Sequence, residues 1–272
     1  GKLEHDDFVW CGKRFRRATD KTIKVSMKAY HENLKPVVVP KNRRVDLLSA
    51  LTPFESSQLK GMNGSLQWLV AQLRWDLGFK VSSLAGETGK PIVGSLLRGN
   101  AIIAEAKASA DFEISFGPMN LDEGGILVVT DSALGNVNAA GHHVGDKEDQ
   151  VHSQAIYLVG YCDPEVLQGK TGRFVPLDGR SHRLPRVTRS SYGGETMSFE
   201  EGVEAGQLLR GMIAELRGHP MNSTQQSQAG LDSTPCLCVV DAKDVHDKIT
   251  KDTASWGSMK SMAYTIAGLK QT

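Results

Sequence analysis

Apolar positions along the chain change period several times, and each change marks an element. Residues 8–15 (Phe8-Val9-Trp10-Cys11-Gly12-Lys13-Arg14-Phe15) and 22–27 predict two strands around a polar turn at Thr19-Asp20-Lys21. Residues 36–53 hold three prolines and no period, which predicts a connecting segment. From Gln58 to Leu84, the residues Leu59, Met62, Leu66, Leu69, Leu73, Leu77 and Val81 recur every three or four positions, as one face of a helix or of two consecutive helices. A further helix is expected over about 91–109. The period then shortens. Residues 112–116 alternate, 126–129 and 156–159 are apolar runs of the kind found in central strands, and 173–184 is a further candidate strand. A long helical pattern over Glu195–Leu216 precedes the strand Cys236-Leu237-Cys238-Val239-Val240, with short helices expected near 243–251 and 258–270. Residues 218–235, rich in Gly, Ser, Gln and Asn, predict a surface loop.

The order strand, strand, strand, helix, strand, helix predicts an α/β fold with a mixed sheet in the second half. At 272 residues the chain has room for one large domain or two modest ones. With 40% apolar and 23% charged residues, it is neither a disordered chain nor one with a membrane-spanning run. Its first residues lack the apolar core of a signal peptide, and it opens on Gly1 without an initiator Met, so a piece of a longer, intracellular chain is expected. The four cysteines form no C-x-x-C pair and read as reduced thiols, Cys236 and Cys238 being small apolar residues on one strand face.

Charge refines the picture. The net charge is +1, yet residues 1–44 carry twelve Lys/Arg against five Asp/Glu, leaving the remainder acidic. A basic arm beside an acidic body suits contact with a polyanion in one part and a gathering of carboxylates in the other. Val128-Val129-Thr130-Asp131 and Val239-Val240-Asp241 both run from a buried strand into an aspartate. Open α/β sheets bind ligands at that edge. One such Asp is a common turn-former, but two together with Glu195 near a helix start form a more specific set. Three converging carboxylates repel one another and call for divalent metal. Other motifs fall away. Gly86-Glu87-Thr88-Gly89-Lys90-Pro91 is too short between its glycines for a phosphate loop and has Pro91 where Ser or Thr is needed. His142-His143 reads as surface, and no Gly-x-Ser-x-Gly elbow is present.

These blocks resemble the polyprotein of copia-type retrotransposons, along nearly the whole chain. Gly64-Ser65-Leu66-Gln67-Trp68-Leu69 and Arg74-Trp75-Asp76-Leu77 are similar to blocks in the tail of its reverse transcriptase, with Trp75 in place of a proline; Asn100 and Lys107 fall in the following helix. Thr130-Asp131-Ser132-Ala133, Ser153-Gln154-Ala155-Ile156-Tyr157, Glu195-Thr196 and Val239-Val240-Asp241-Ala242-Lys243 are similar to blocks of its RNase H domain, in the family's order. The resemblance implies a mainly helical thumb/connection-like reverse-transcriptase segment over 1–109 and an RNase H-like mixed sheet over 110–272, incomplete at its C-terminal end. It implies catalytic and metal-binding roles for Asp131, Glu195 and Asp241, with two Mg²⁺ (or Mn²⁺) ions as cofactors. The implied reaction is two-metal hydrolysis of the RNA strand of RNA–DNA hybrids during reverse transcription. Lys13, Arg14, Arg180, Arg183, Arg186 and Arg189 are the candidate contacts to nucleic-acid phosphates. The implied partners are the hybrid and the rest of the reverse transcriptase upstream, with no membrane, and the implied location is a cytoplasmic particle or the nucleus. The polymerase's own aspartates would precede Gly1 and the fourth RNase H acid would follow Thr272. A non-catalytic, decayed nucleic-acid-binding remnant of such a polymerase is the alternative reading.

Overall fold

The computed structural model describes residues 6–138, 151–188, 190–220, 224–251 and 262–270. The chain forms two compact units, one made of Gly1–Pro118, Gly135–His152 and Ser181–Arg183, the other of Met119–Leu134, Ser153–Arg180 and Leu184–Thr272.

The first unit opens on an antiparallel sheet of β1 (Asp7–Trp10), β2 (Lys13–Arg17), β3 (Ile23–Ser26) and β4 (Glu113–Phe116), in that order. Residues 8–15 are therefore a hairpin rather than one strand. Cys11 and Gly12 take φ of +49° and +79° between the paired residues Trp10 and Lys13. Two positive φ values in a two-residue loop match the twist of the flanking strands, as a type I′ turn does. Strand β4 pairs with β3, Ile114 lying opposite Val25.

A short helix α1 (Lys28–Asn33), which the sequence pattern did not predict, precedes α2 (Pro53–Gln72), α3 (Gly78–Gly86) and α4 (Val93–Ala108). Helix α2 starts on a capping box: the Thr52 hydroxyl accepts from the Glu55 backbone N–H, and the Glu55 carboxylate accepts from Thr52 N–H. The leucine face read from the sequence is the core: Leu59, Leu66, Leu69, Leu77 and Leu84 are buried with Leu96 and Ile103 of α4. The blocks singled out in the sequence have structural roles here. The Asn100 side chain bonds both N–H and C=O of Val37, and Lys107 donates to Leu34 O, so both anchor the irregular segment to α4. Arg74 is buried, paired through two nitrogens with Asp76 and bonded to His31 Nε2 at 3.1 Å.

The second unit is built on a sheet of order β7-β6-β5-β8, from β5 (Gly125–Asn138), β6 (Val151–Cys162), β7 (Phe174–Arg183) and β8 (Cys236–Val240). β5 and β8 are parallel, Ile126 opposite Cys236 through Thr130 opposite Val240. A four-residue helix α5 (Pro164–Leu167) joins β6 to β7. The long helix α6 (Ser191–Leu216) leads towards β8, with α7 (Thr224–Asp232) between them inside the stretch expected to be loop, and α8 (Lys243–Thr250) and α9 (Ala263–Leu269) follow β8.

The seating of α6 is set by small residues. Gly194, Ser198, Gly202 and Gly206 are four apart and so form one ridge. A Cβ on Gly202 would lie 2.4 Å from Thr130 Cγ2, and one on Gly206 2.6 Å from Val128 Cγ2. Only glycine lets the helix backbone come this close to β5. The Ser198 hydroxyl reaches the carbonyls of Asp131 (2.8 Å) and Ile156 (3.0 Å), tying α6 to both β5 and β6.

Candidate metal centre

Asp131, Glu195 and Asp241 converge in the second unit: one carboxylate oxygen of each lies within 4.8 Å of the others. Three elements bring them together. Asp241 is the first residue after β8. Asp131 follows Thr130, the last β5 residue that pairs with β8. It was expected to end its strand, but β5 continues to Asn138. The sheet edge at Asp131 therefore comes from β8 stopping short.

Glu195 is supplied by α6 and lies in its second turn rather than the first. The helix begins earlier than the apolar pattern indicated, on an N-cap Ser190 whose side chain accepts from Gly193 N–H. Gly194 is needed beside it, since a Cβ there would lie 2.8 Å from Ser132 Oγ. This close approach lets one oxygen of Glu195, Oε1, accept from the Ser132 backbone N–H (3.2 Å) and hydroxyl (3.0 Å). Its other oxygen, Oε2, is buried and has no hydrogen-bond partner among the described residues. Glu195 is 7% exposed, whereas Asp131 and Asp241 are open to solvent. Burial pushes the Glu195 carboxyl above the usual carboxylate range; the Ser132 hydroxyl opposes this, and the neighbouring charges of Asp131 and Asp241 add to it.

A buried carboxylate oxygen without a donor, beside two more acids, is the environment that an oxygen-seeking divalent cation satisfies. The donor set consists only of carboxylates, which suits Mg²⁺ or Mn²⁺ rather than a soft metal. The residues present therefore fit a hard cation.

The candidate phosphate contacts fall in both units. Lys13 and Arg14 lie on β2 of the first unit. The Lys13 ammonium sits 5.7 Å from the centroid of the exposed Trp10 ring, while Arg14 is held in an ion pair by Asp7. Arg180 is an exposed residue of β7 and Arg186 is exposed between β7 and α6, where its charge acts on Glu200. Arg183 is half-buried at the end of β7 and groups with the first unit. Arg189 and His142-His143 lie outside the described residues.

The sequence reading missed Ser132 as the group that holds Glu195, and it missed the ridge on α6. The four-residue spacing of Gly194, Ser198, Gly202 and Gly206 was the available signal. No helix among the described residues is long and apolar enough to cross a membrane.

Comparisons with protein-family models, with curated proteins and with solved structures returned no match.

Proposed function

We propose that the second unit is an RNase H-like nuclease domain of a copia-type retroelement polyprotein, hydrolysing the RNA strand of RNA–DNA hybrids with two Mg²⁺ or Mn²⁺ ions. The observation that carries this reading is the convergence of Asp131 and Asp241 with a Glu195 whose buried Oε2 has no donor among the described residues. The strand order β7-β6-β5-β8, with β8 parallel to β5 and the acids on β5, on α6 and just after β8, supports it. So does the order of the sequence blocks.

Bound divalent ions supply positive charge at the scissile phosphate and an acidified water. The chain's own residues prepare that chemistry. Ser132 fixes Oε1 of Glu195 through its backbone N–H and its hydroxyl. Asp131, held at its backbone by Ser198, offers a second carboxylate, and Asp241, just after β8, completes the set. Exposed Arg180 and Arg186 are suited to phosphates, and Trp10 with Lys13 offers a stacking surface with a cation over it. Arg14, neutralised by Asp7, contributes less. The rest of the reverse transcriptase upstream and an intracellular setting belong to the same proposal.

The test is cleavage of a labelled RNA–DNA hybrid by the full chain in Mg²⁺ and in Mn²⁺. Metal-dependent cutting that disappears in Asp131→Asn supports the assignment. Hybrid binding without cutting under either metal would favour the non-catalytic remnant, and cutting that survives Asp131→Asn would place the chemistry elsewhere.

A further inference from the structure

Cys236 and Cys238 are two apart on β8, a spacing that puts both side chains on one face of a strand. Their sulfurs are 3.7 Å apart, both residues are half-buried, and both thiols are free. The face is the one covered by α6: a Cβ on Gly206 would lie 3.5 Å from Cys236 Sγ. The glycine ridge that seats the helix thus also leaves room for the sulfur pair.

The two thiols are not equivalent. A hydrogen bond from Cys238 holds the Cys236 thiol below its usual range, with the Arg210 guanidinium adding to the effect. The same bond and burial push Cys238 up. Cys162 is fully buried, and desolvation raises its thiol to about 11, which keeps it protonated and unreactive. The geometry is that of two free thiols on one strand face, their sulfurs within reach of one another.

We propose that Cys236 and Cys238 form a redox-active dithiol, which a peroxide oxidises to an intrastrand disulfide that draws in the end of β8 and weakens cation binding at Asp131, Glu195 and Asp241. The Cys236 thiolate attacks one oxygen of the peroxide. The O–O bond breaks, the sulfur becomes a sulfenic acid, and the departing hydroxide takes up a proton to leave as water. Cys238 then attacks that sulfur and loses its proton; the S–O bond breaks and a second water leaves. Two thiols and one hydrogen peroxide give one disulfide and two waters.

The lever follows from backbone dimensions. Along an extended strand, residues two apart are separated by about 6.4–6.8 Å. That is the far end of the Cα separation that a disulfide spans, whose preferred value is about 5.5–6 Å. Closing the bond therefore shortens β8. Asp241 is three residues beyond Cys238, and β8 is paired to β5 up to Val240. A shortened β8 moves Asp241 away from its two partners. This last consequence rests on the divalent-cation reading of the carboxylates, whereas the dithiol does not.

The experiment treats the full chain with hydrogen peroxide and follows three readouts. Non-reducing peptide mapping should show a Cys236–Cys238 bridge that dithiothreitol reverses. Amide hydrogen exchange over residues 236–242 should accelerate in the oxidised protein and stay unchanged in Cys236→Ala/Cys238→Ala. Mn²⁺ affinity should fall about tenfold on oxidation in wild type only. No bridge, or a bridge to Cys11 or Cys162, overturns the dithiol. A bridge with unchanged exchange and unchanged Mn²⁺ affinity overturns the lever. If the reduced protein binds no Mn²⁺, the cation reading fails, while mapping and exchange still decide the dithiol and the strand shortening.

Discussion

Glu195 sits where its charge is disfavoured, buried beside two further acids and with one oxygen unbonded among the described residues. A carboxyl whose folded pKa is raised holds its proton more tightly in the folded state. Without metal, stability should therefore decline as pH rises from the ordinary carboxylate range through the raised value, and level off above it. Glu195→Gln removes the charge and keeps the shape. We expect the metal-free variant to melt at a higher temperature than wild type at pH 7, and to lose the pH slope that Glu195 contributes. Thermal melts of both proteins between pH 4 and 8 check this. A lower melting temperature for the variant at pH 7 would mean that the Glu195 charge is compensated within the protein. Ser132→Ala tests the other oxygen. Losing the hydroxyl donor should raise the Glu195 pKa further, so Mn²⁺ binding should weaken at pH 6 more than at pH 8.

At the level of elements, helix α6 is the device that delivers Glu195, and its glycines are the parts to probe. Gly202→Ala gains about 1 kcal/mol of helix propensity. It also forces a Cβ to within 2.4 Å of Thr130 Cγ2, and overpacking of this kind costs about 1–3 kcal/mol. We expect a net loss of stability together with weaker Mn²⁺ binding, because the helix must lift from β5. Gly61 of α2 is the control. No other element among the described residues comes within 4 Å of its added Cβ, so Gly61→Ala should stabilise by about 1 kcal/mol in denaturant unfolding. The same glycines explain what could be read in advance. The leucine face of α2 and α3 was legible because a helix packed on one side repeats its apolar residues. The start of α6 was hidden because Gly193 and Gly194 look like helix breakers, yet Gly194 is the residue that the close approach to Ser132 requires. The β1–β2 hairpin escaped notice because Cys11 is not a residue that announces a turn. Helix α7, Thr224–Asp232, was masked by its polar Gln- and Ser-rich composition. Asp131, Glu195 and Asp241 were legible through their sequence blocks, but Asp131 was placed at a strand end because its strand was read only as far as its apolar run.

Across the whole molecule, the two units respond to solution conditions through different groups. His31 of the first unit is fully buried; one ring nitrogen lies 2.9 Å from Met27 O and the other 3.1 Å from an Arg74 nitrogen. Burial is the largest cause holding its pKa down, and Arg74 adds to it against the opposing pull of Asp76. A histidine whose folded pKa is depressed leaves the protein less stable as pH falls below the unfolded value of about 6.5. Urea unfolding at pH 5.5 and 7.5 should show this loss, and a His31→Gln variant should show less of it. Hybrid binding should weaken steeply with salt if the exposed basic residues neutralise phosphates, and a flat slope of log affinity against log salt would remove them from the interface. Divalent-metal binding by Asp131, Glu195 and Asp241 is decided by a Mn²⁺ titration of the full reduced chain, followed by electron paramagnetic resonance. Saturable binding in wild type, weakened about tenfold or more in each of Asp131→Asn, Glu195→Gln and Asp241→Asn, is the result expected. Equal Mn²⁺ affinity in wild type and all three variants would contradict it.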